Sequence, residues 1–248
     1  MRPRDLTLKV VTVYGALVAV HITAGVVGLL SMLGALIARK GSLPHRRTGW
    51  GFSLAMATTS ATGLLVALSW IAVPDLVRPL PNNPKAAAEV TEQLRAAGFF
   101  FLVLSLVTAQ AITFGILASR RRRADPSRHP LGRMISVLLG LAGVAALVAC
   151  ITGFDPFLAI GGGLGLTNAV RSLRPSRTAP PWLRTHIQAM LGGCTAATTA
   201  FTVQLSSRLT TGAVAMTLAW TIPVALGIVA TSMWTRKLHA RKMVRDAA

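Results

Sequence analysis

This chain predicts an all-α fold, an integral membrane helical bundle of seven transmembrane helices, and three observations carry that prediction. Hydrophobic residues make up 52% of its 248 positions and charged residues only 13%, against about a quarter charged in a soluble domain. The apolar residues gather into seven runs, near 11–38, 50–73, 97–118, 134–153, 156–170, 185–206 and 212–234, and about 20 such residues cross a typical hydrocarbon core. Lys and Arg, 26 in all against 7 acidic residues, are confined to the connections and the two ends. No connection is long enough to form a soluble domain, so residues 1–248 read as a single transmembrane domain.

The first run, Val10 to Ala38, is far longer than a signal-peptide core. No small-residue cleavage site followed by a polar segment comes after it, so it reads as a retained first span. The stretch "KGSLPHRRTGW" then forms a basic turn, with Trp50 opening the second span. Before the third span, "NPKAAAEVTEQLRAAG" reads as a helix lying outside or extending that span. The fifth run, "PFLAIGGGLGLTNAV", is short and carries Gly161, Gly162, Gly163 and Gly165. Three forms suit it: a short span, a partly unwound one, or a re-entrant segment shielded by neighbours. Pro223 should kink the last span, because it removes a backbone donor and clashes with the preceding turn.

Charge placement orients the bundle. With seven spans, connections 39–49, 119–133 and 171–184 and the C-terminal tail share one side and hold 19 Lys and Arg, against 7 on the other. The positive-inside rule puts that side in the cytoplasm, with the N-terminus outside and the C-terminus inside a plasma membrane. Trp50, Trp182 and Trp234 fall at cytoplasmic span ends, and Trp70 with Phe99, Phe100 and Phe101 at outer ends, the depth that interfacial aromatics prefer. The net charge of +19 therefore speaks for topology and for anionic phospholipid at the cytoplasmic face. It does not indicate nucleic acid, since no basic face is interleaved with aromatics. Small residues suited to close helix contact are Gly25 and Gly28 in span one, Ala57 and Ala61 in span two, and Gly140 and Gly143 in span four. Cys150 and Cys194 lie in separate apolar runs and form neither a disulfide framework nor a CxxC motif; they read as small buried hydrophobes.

Few residues carry chemistry. No Asp, Glu, Lys or Arg lies within the middle of a span, where coupled transporters commonly keep one. His21 alone is ionisable at depth, in the outer half of span one, either as a functional group or as an imidazole bonded to a neighbouring hydroxyl or carbonyl. At the cytoplasmic ends, His45 and His186 match in depth, with Arg46, Asn168 and Arg171 nearby and Met190 one turn beyond His186. Such a cluster could hold one haem b between two His, with Arg on its propionates, or a quinone. The alternative gives His45 and Arg46 to lipid phosphate or a helix end. His129 and His239 read as solvated. No nucleophile, general base and orienting carboxylate share a depth, and no HExxH or nucleotide loop is present, so no enzymatic constellation emerges.

The order of His21, then "ARKGSLPHRRTGWGFSLAM", then "RTHIQAML" resembles an uncharacterised bacterial multi-pass membrane family, the domain of unknown function 2306. The matching positions are His21, Lys40, Gly41, His45, Arg46, Gly49, Met56, His186 and Met190, and the resemblance runs from span one to span seven. Where that family carries an acidic residue near the end of the fifth span, this chain has Asn168. The resemblance implies no activity; it implies only that these His and Arg positions are more than accidents. Comparison with two-haem cytochromes of the b561 type fails, because matched His pairs at opposite faces are lacking. The functions left open are a cofactor- or small-ligand-binding membrane protein, a small-solute transporter, and an accessory protein bound to anionic lipid.

Overall fold

The computed structural model describes residues 3–120, 125–153, 156–174, 182–209 and 212–247, all helix or short connection and without a strand among them. Arg2, Arg121, Arg122, Arg123, Asp155 and Arg177, which the charge count uses, lie outside the described residues, as does the side chain of His239. The helices are α1 (Pro3–Ile37), α2 (Leu43–Ala72), the single turn α3 (Pro74–Val77), α4 (Pro84–Arg120), α5 (Pro130–Gly153), α6 (Pro156–Leu173), α7 (Trp182–Leu209) and α8 (Ala213–Ala247). Each of the seven apolar runs is therefore a helix. Five of them, α1, α2, α4, α5 and α8, are long and apolar enough to cross a membrane. The other two, α6 and α7, are the shortest run and the one richest in Thr, Ser and Gln.

Local chemistry sets the helix ends. Ser42 accepts from the His45 N–H at 3.4 Å, and its carbonyl accepts from Arg46 N at 3.0 Å, so α2 starts seven residues before the predicted span. Eight of the eleven residues of the basic stretch are thus its first turns rather than a loop. Asn83 Oδ1 accepts from Lys85 N at 2.9 Å and caps α4, which has Pro84 at its first position. The stretch "NPKAAAEVTEQLRAAG" extends the third span as one 37-residue helix. The His129 ring accepts from Leu131 N at 3.3 Å at the start of α5, a partner that the solvated reading of this residue did not include.

The chain forms two compact units. Unit 1 comprises Met1–Val26, Ala57–Ala109 and Arg133–Arg174, and unit 2 comprises Val27–Met56, Gln110–Gly132 and Pro175–Ala248.

In unit 1, α5 and α6 meet backbone to backbone. A Cβ at Gly143 would lie 2.7 Å from Leu166 N, and one at Gly162 would lie 2.8 Å from Gly143 O. Gly161 faces the Phe100 ring and Gly140 faces Ala169, while Gly163 has nothing within 4 Å. Gly161, Gly162 and Gly165 of "AIGGGLG" are thus a packing seam of the small-residue type. Unbroken helix over 18 residues overturns the partly unwound form. Gly140 and Gly143 serve close contact as expected. Ala57 and Ala61 do not: both are exposed, and α2 buries Ser60, Gly63 and Ala67 instead. Trp70 donates its Nε1–H to Tyr14 at 2.8 Å and meets Phe101 edge-on at 5.7 Å, joining these three aromatics in one cluster.

In unit 2, α1 and α2 form a tight hairpin. Gly34 faces Thr48, Gly51 faces Ser31, and Gly28 faces the Met56 thioether, whereas Gly25 has nothing within 4 Å. Phe52, Met32, Met56, Ile112 and Ala197 make the core, with Leu29, Ile116, Met190 and Cys194 packed on it. Along α7 the hydroxyls of Thr195, Thr198 and Thr199 donate to carbonyls one turn back at 2.8–2.9 Å, which conceals their polarity. The one hydroxyl hydrogen of Thr202 has three carbonyls in reach, Thr198 O and Thr199 O at 3.0 Å and, nearest, Ala219 O on α8 at 2.9 Å. That carbonyl is four residues before Pro223, which has no N–H to give it.

Candidate functional site

The turn after α1 shows what its charges do. Gly41 adopts φ +82°, a left-handed conformation that a residue with a Cβ rarely takes, and this reverses the chain just past the helix end. Lys40 Nζ donates to Ala35 O at 2.9 Å and to Leu36 O at 2.7 Å. These carbonyls belong to the last turn of α1, where intrahelical partners run out and the dipole favours a cation. The same ammonium stands 5.5 Å from the Trp234 ring centroid, and partial burial pulls its pKa below the ordinary lysine value.

His45 joins this arrangement. Its Nδ1 lies 3.0 Å from Ala35 O. A carbonyl only accepts, so Nδ1 carries the hydrogen and Nε2 carries the lone pair of the neutral ring. His45 is half-buried on the first turn of α2, not in the turn where the sequence placed it. One role of its imidazole is to tie the start of α2 to the end of α1.

His186 repeats the pattern on α7. Its Nδ1 lies 2.9 Å from Gly115 O, so it too donates from Nδ1 and holds Nε2 free of a protein partner among the described residues. Gly115 also admits Met190: a Cβ there would stand 2.6 Å from Met190 Cε and 3.1 Å from its Sδ. His186 and Met190, one turn apart, therefore dock α7 on α4 at a single glycine. Met190 packs against the core cluster of unit 2.

Arg46 and Arg47 are exposed in the first turns of α2, and no side-chain hydrogen bond or ion pair engages either guanidinium among the described residues. Trp50 is stacked by Arg120, whose guanidinium carbon is 4.6 Å from the ring centroid. The Lys40–Trp234 and Arg120–Trp50 pairs gather the turn 39–49, the end of α4 and the far part of α8 at one end of unit 2. The charge count groups these same segments.

The other expected site residues lie in unit 1. The Asn168 amide donates to Leu164 O of its own helix at 2.9 Å, and Arg171 is exposed in the last turn of α6. In unit 2, Lys40 and His45 meet at the end of α1, and His186 and Met190 meet at Gly115 of α4. His21 lies 3.1 Å through Nδ1 from the Thr62 hydroxyl. Thr62 donates its own hydrogen back to Thr58 O at 2.8 Å, so its oxygen accepts from the His21 ring. A Cβ at Gly63 would come within 3.1 Å of the His21 ring and 2.8 Å of Ser105 Oγ; that glycine makes room for the imidazole. The hydroxyl partner weighed from the sequence is thus present.

Sequence reasoning missed Lys40 as a cap and Gly115 as an acceptor. The first had a signal, a lysine directly before a glycine at a helix end. The second had none, because any helical carbonyl looks alike in sequence.

An all-helical chain with several helices long and apolar enough to cross a bilayer has the character of a multi-pass membrane protein. No protein-family profile, curated protein or solved structure matches it.

Proposed function

We propose that this chain is a seven-span plasma-membrane protein, with its N-terminus outside and its C-terminus in the cytoplasm, that holds one cofactor or small ligand near its cytoplasmic face. The single observation that carries the ligand reading is the tautomer of His45 and His186. Each gives its Nδ1–H to a backbone carbonyl and keeps the Nε2 lone pair, the state in which histidine ligates a metal centre. Haem b is the group that suits such imidazoles beside free guanidinium groups, and a quinone would use the same Nε2 atoms as acceptors or polar neighbours. Two features support seven crossings over five. The α7 threonines satisfy their hydroxyls within the helix, and the glycine seam lets the short α6 lie against α5. The proposal extends to membership of the family of domain of unknown function 2306. In its support, Lys40, Gly41 and His45 cooperate in one turn, while Met56 and Met190 meet in one core cluster.

The test is a visible spectrum of the detergent-purified protein, oxidised and dithionite-reduced, after haem-supplemented expression. The expected result is a Soret band that is lost in His186→Ala. A colourless wild-type protein overturns the haem assignment.

Exposed Arg46 and Arg47, free of ion pairs among the described residues, favour anionic phospholipid as a partner at the same face. Native mass spectrometry should find anionic lipid retained by the wild type and reduced at least threefold in an Arg46→Gln, Arg47→Gln variant. Equal retention would reject that partner.

A further inference from the structure

A buried hydroxyl in unit 1 has no partner. Ser60 of α2 is only 5% exposed, and its Oγ makes no hydrogen bond to any described residue. Its neighbours behave differently. Thr62 gives its hydrogen to Thr58 O, one turn back, at 2.8 Å, and Thr58 and Thr59 are also engaged. A helical serine commonly turns its hydroxyl to that same carbonyl; Ser60 does not. Leaving a buried hydroxyl bare is costly, so the exception points to an occupant beside it.

The register of α1 on α2 shows what Ser60 faces. Tyr14 meets Trp70, and His21 lies against Gly63. The two contacts are seven residues apart on both helices, so the antiparallel pair keeps step between them. One turn further along, Gly25 comes opposite Thr59 and Ser60. Gly25 is half-buried, one turn from His21 on the same stripe of α1, yet a Cβ on it would have no heavy atom within 4 Å. The seam is therefore tight at His21 and open at Gly25, level with the hydroxyl that lacks a partner.

His21 borders this opening. Its ring N–H is taken by the Thr62 hydroxyl oxygen at 3.1 Å and by the Thr59 carbonyl. A neutral imidazole has a single N–H, so Nε2 keeps a lone pair. From α4 the Ser105 Oγ joins the same place: a Cβ on Gly63 would stand 2.8 Å from it and 3.1 Å from His21 Cε1. Room for one small molecule, with two or more polar groups around it, is what a buried water requires. None of these side chains carries a fixed charge, which favours a neutral occupant over an ion.

We propose that Gly25, Ser60 and His21 form a binding site for a water molecule, which accepts from the Ser60 hydroxyl and donates to His21 Nε2. The water makes His21 a hydrated base within an apolar helix rather than a sealed core residue. The site uses neither His45 nor His186 and stands independently of the haem reading.

The experiment uses the full-length protein in lipid nanodiscs with isotope-labelled histidine, and reads magnetisation transfer from water to the His21 ring by NMR. The His21 signal is the one lost in His21→Asn. The expected result is a water cross-peak in the wild type that disappears in Gly25→Ala, whose methyl takes the place of the water. Gly25→Ala should also lower the melting temperature by about 3 °C, because it strands the Ser60 hydroxyl. In a Ser60→Ala background the same methyl fills an apolar gap and should leave the melting temperature level or raise it. A wild-type ring without the cross-peak overturns the proposal, as does a Gly25→Ala protein that keeps it or that melts at or above the wild type. If a variant does not fold, the wild-type cross-peak decides alone.

Discussion

Replacing Gly143 by leucine should lower the stability of the detergent-solubilised protein by about 3 kcal/mol, at the upper end of what overpacking costs. The neighbours that the new Cβ would strike are backbone atoms, Leu166 N at 2.7 Å and Gly162 O at 3.0 Å. A side chain could swing aside, whereas a helix backbone has to move as a whole. Separating α5 from α6 would also forfeit the dispersion contacts along the seam, and in lipid these are the main drive for helix association. Gly163→Ala is the matched control: it is one residue from Gly162 and has nothing within 4 Å. That change should leave the melting temperature level or raise it slightly, since glycine is the poorer helix former. A Gly143→Leu protein that melts with the wild type would remove the seam from the description of unit 1.

Thr202→Val should destabilise the α7–α8 pair by about 1–2 kcal/mol, the upper range for an interhelical hydrogen bond in a membrane. The reason lies in Pro223. The Ala219 carbonyl has lost its intrahelical donor, and the Thr202 hydroxyl at 2.9 Å stands in its place. In a setting without water an unsatisfied carbonyl is expensive. Pro223→Ala restores an N–H to that carbonyl, so Thr202→Val should cost much less in the Pro223→Ala background. The double-mutant cycle measures this directly. Additive effects would show that the hydroxyl and the proline are uncoupled.

The helices were legible because long apolar runs have few alternatives, and every predicted run is one. Their ends were less so. Ser42 begins α2 well inside the stretch that reads as a basic loop, and Pro84 starts α4 far ahead of the apolar run, because caps and prolines set helix ends while hydropathy marks only the buried portion. The glycines of α6 were visible but ambiguous. Unwinding and close packing use the same residue, and only the partner surface of α5 distinguishes them. Ala57 and Ala61 were misread for the same reason, since small size says nothing about which way a residue faces.

The candidate site divides in the same manner. Composition and charge order by themselves determined that the chain is membrane-like, that its basic residues lie in the connections between apolar runs and near the two ends, and that five histidines are all the imidazoles available. Only the tertiary structure decided what those imidazoles do. It gave His45 to Ala35 O, His186 to Gly115 O and His21 to Thr62. It also placed Asn168 and Arg171 in a unit other than that of His45 and His186. Hydrophobicity and net charge sum over residues and can be read along a line. A hydrogen-bond partner depends on which helix faces which, and that emerges only when the side chains of separate helices are packed together.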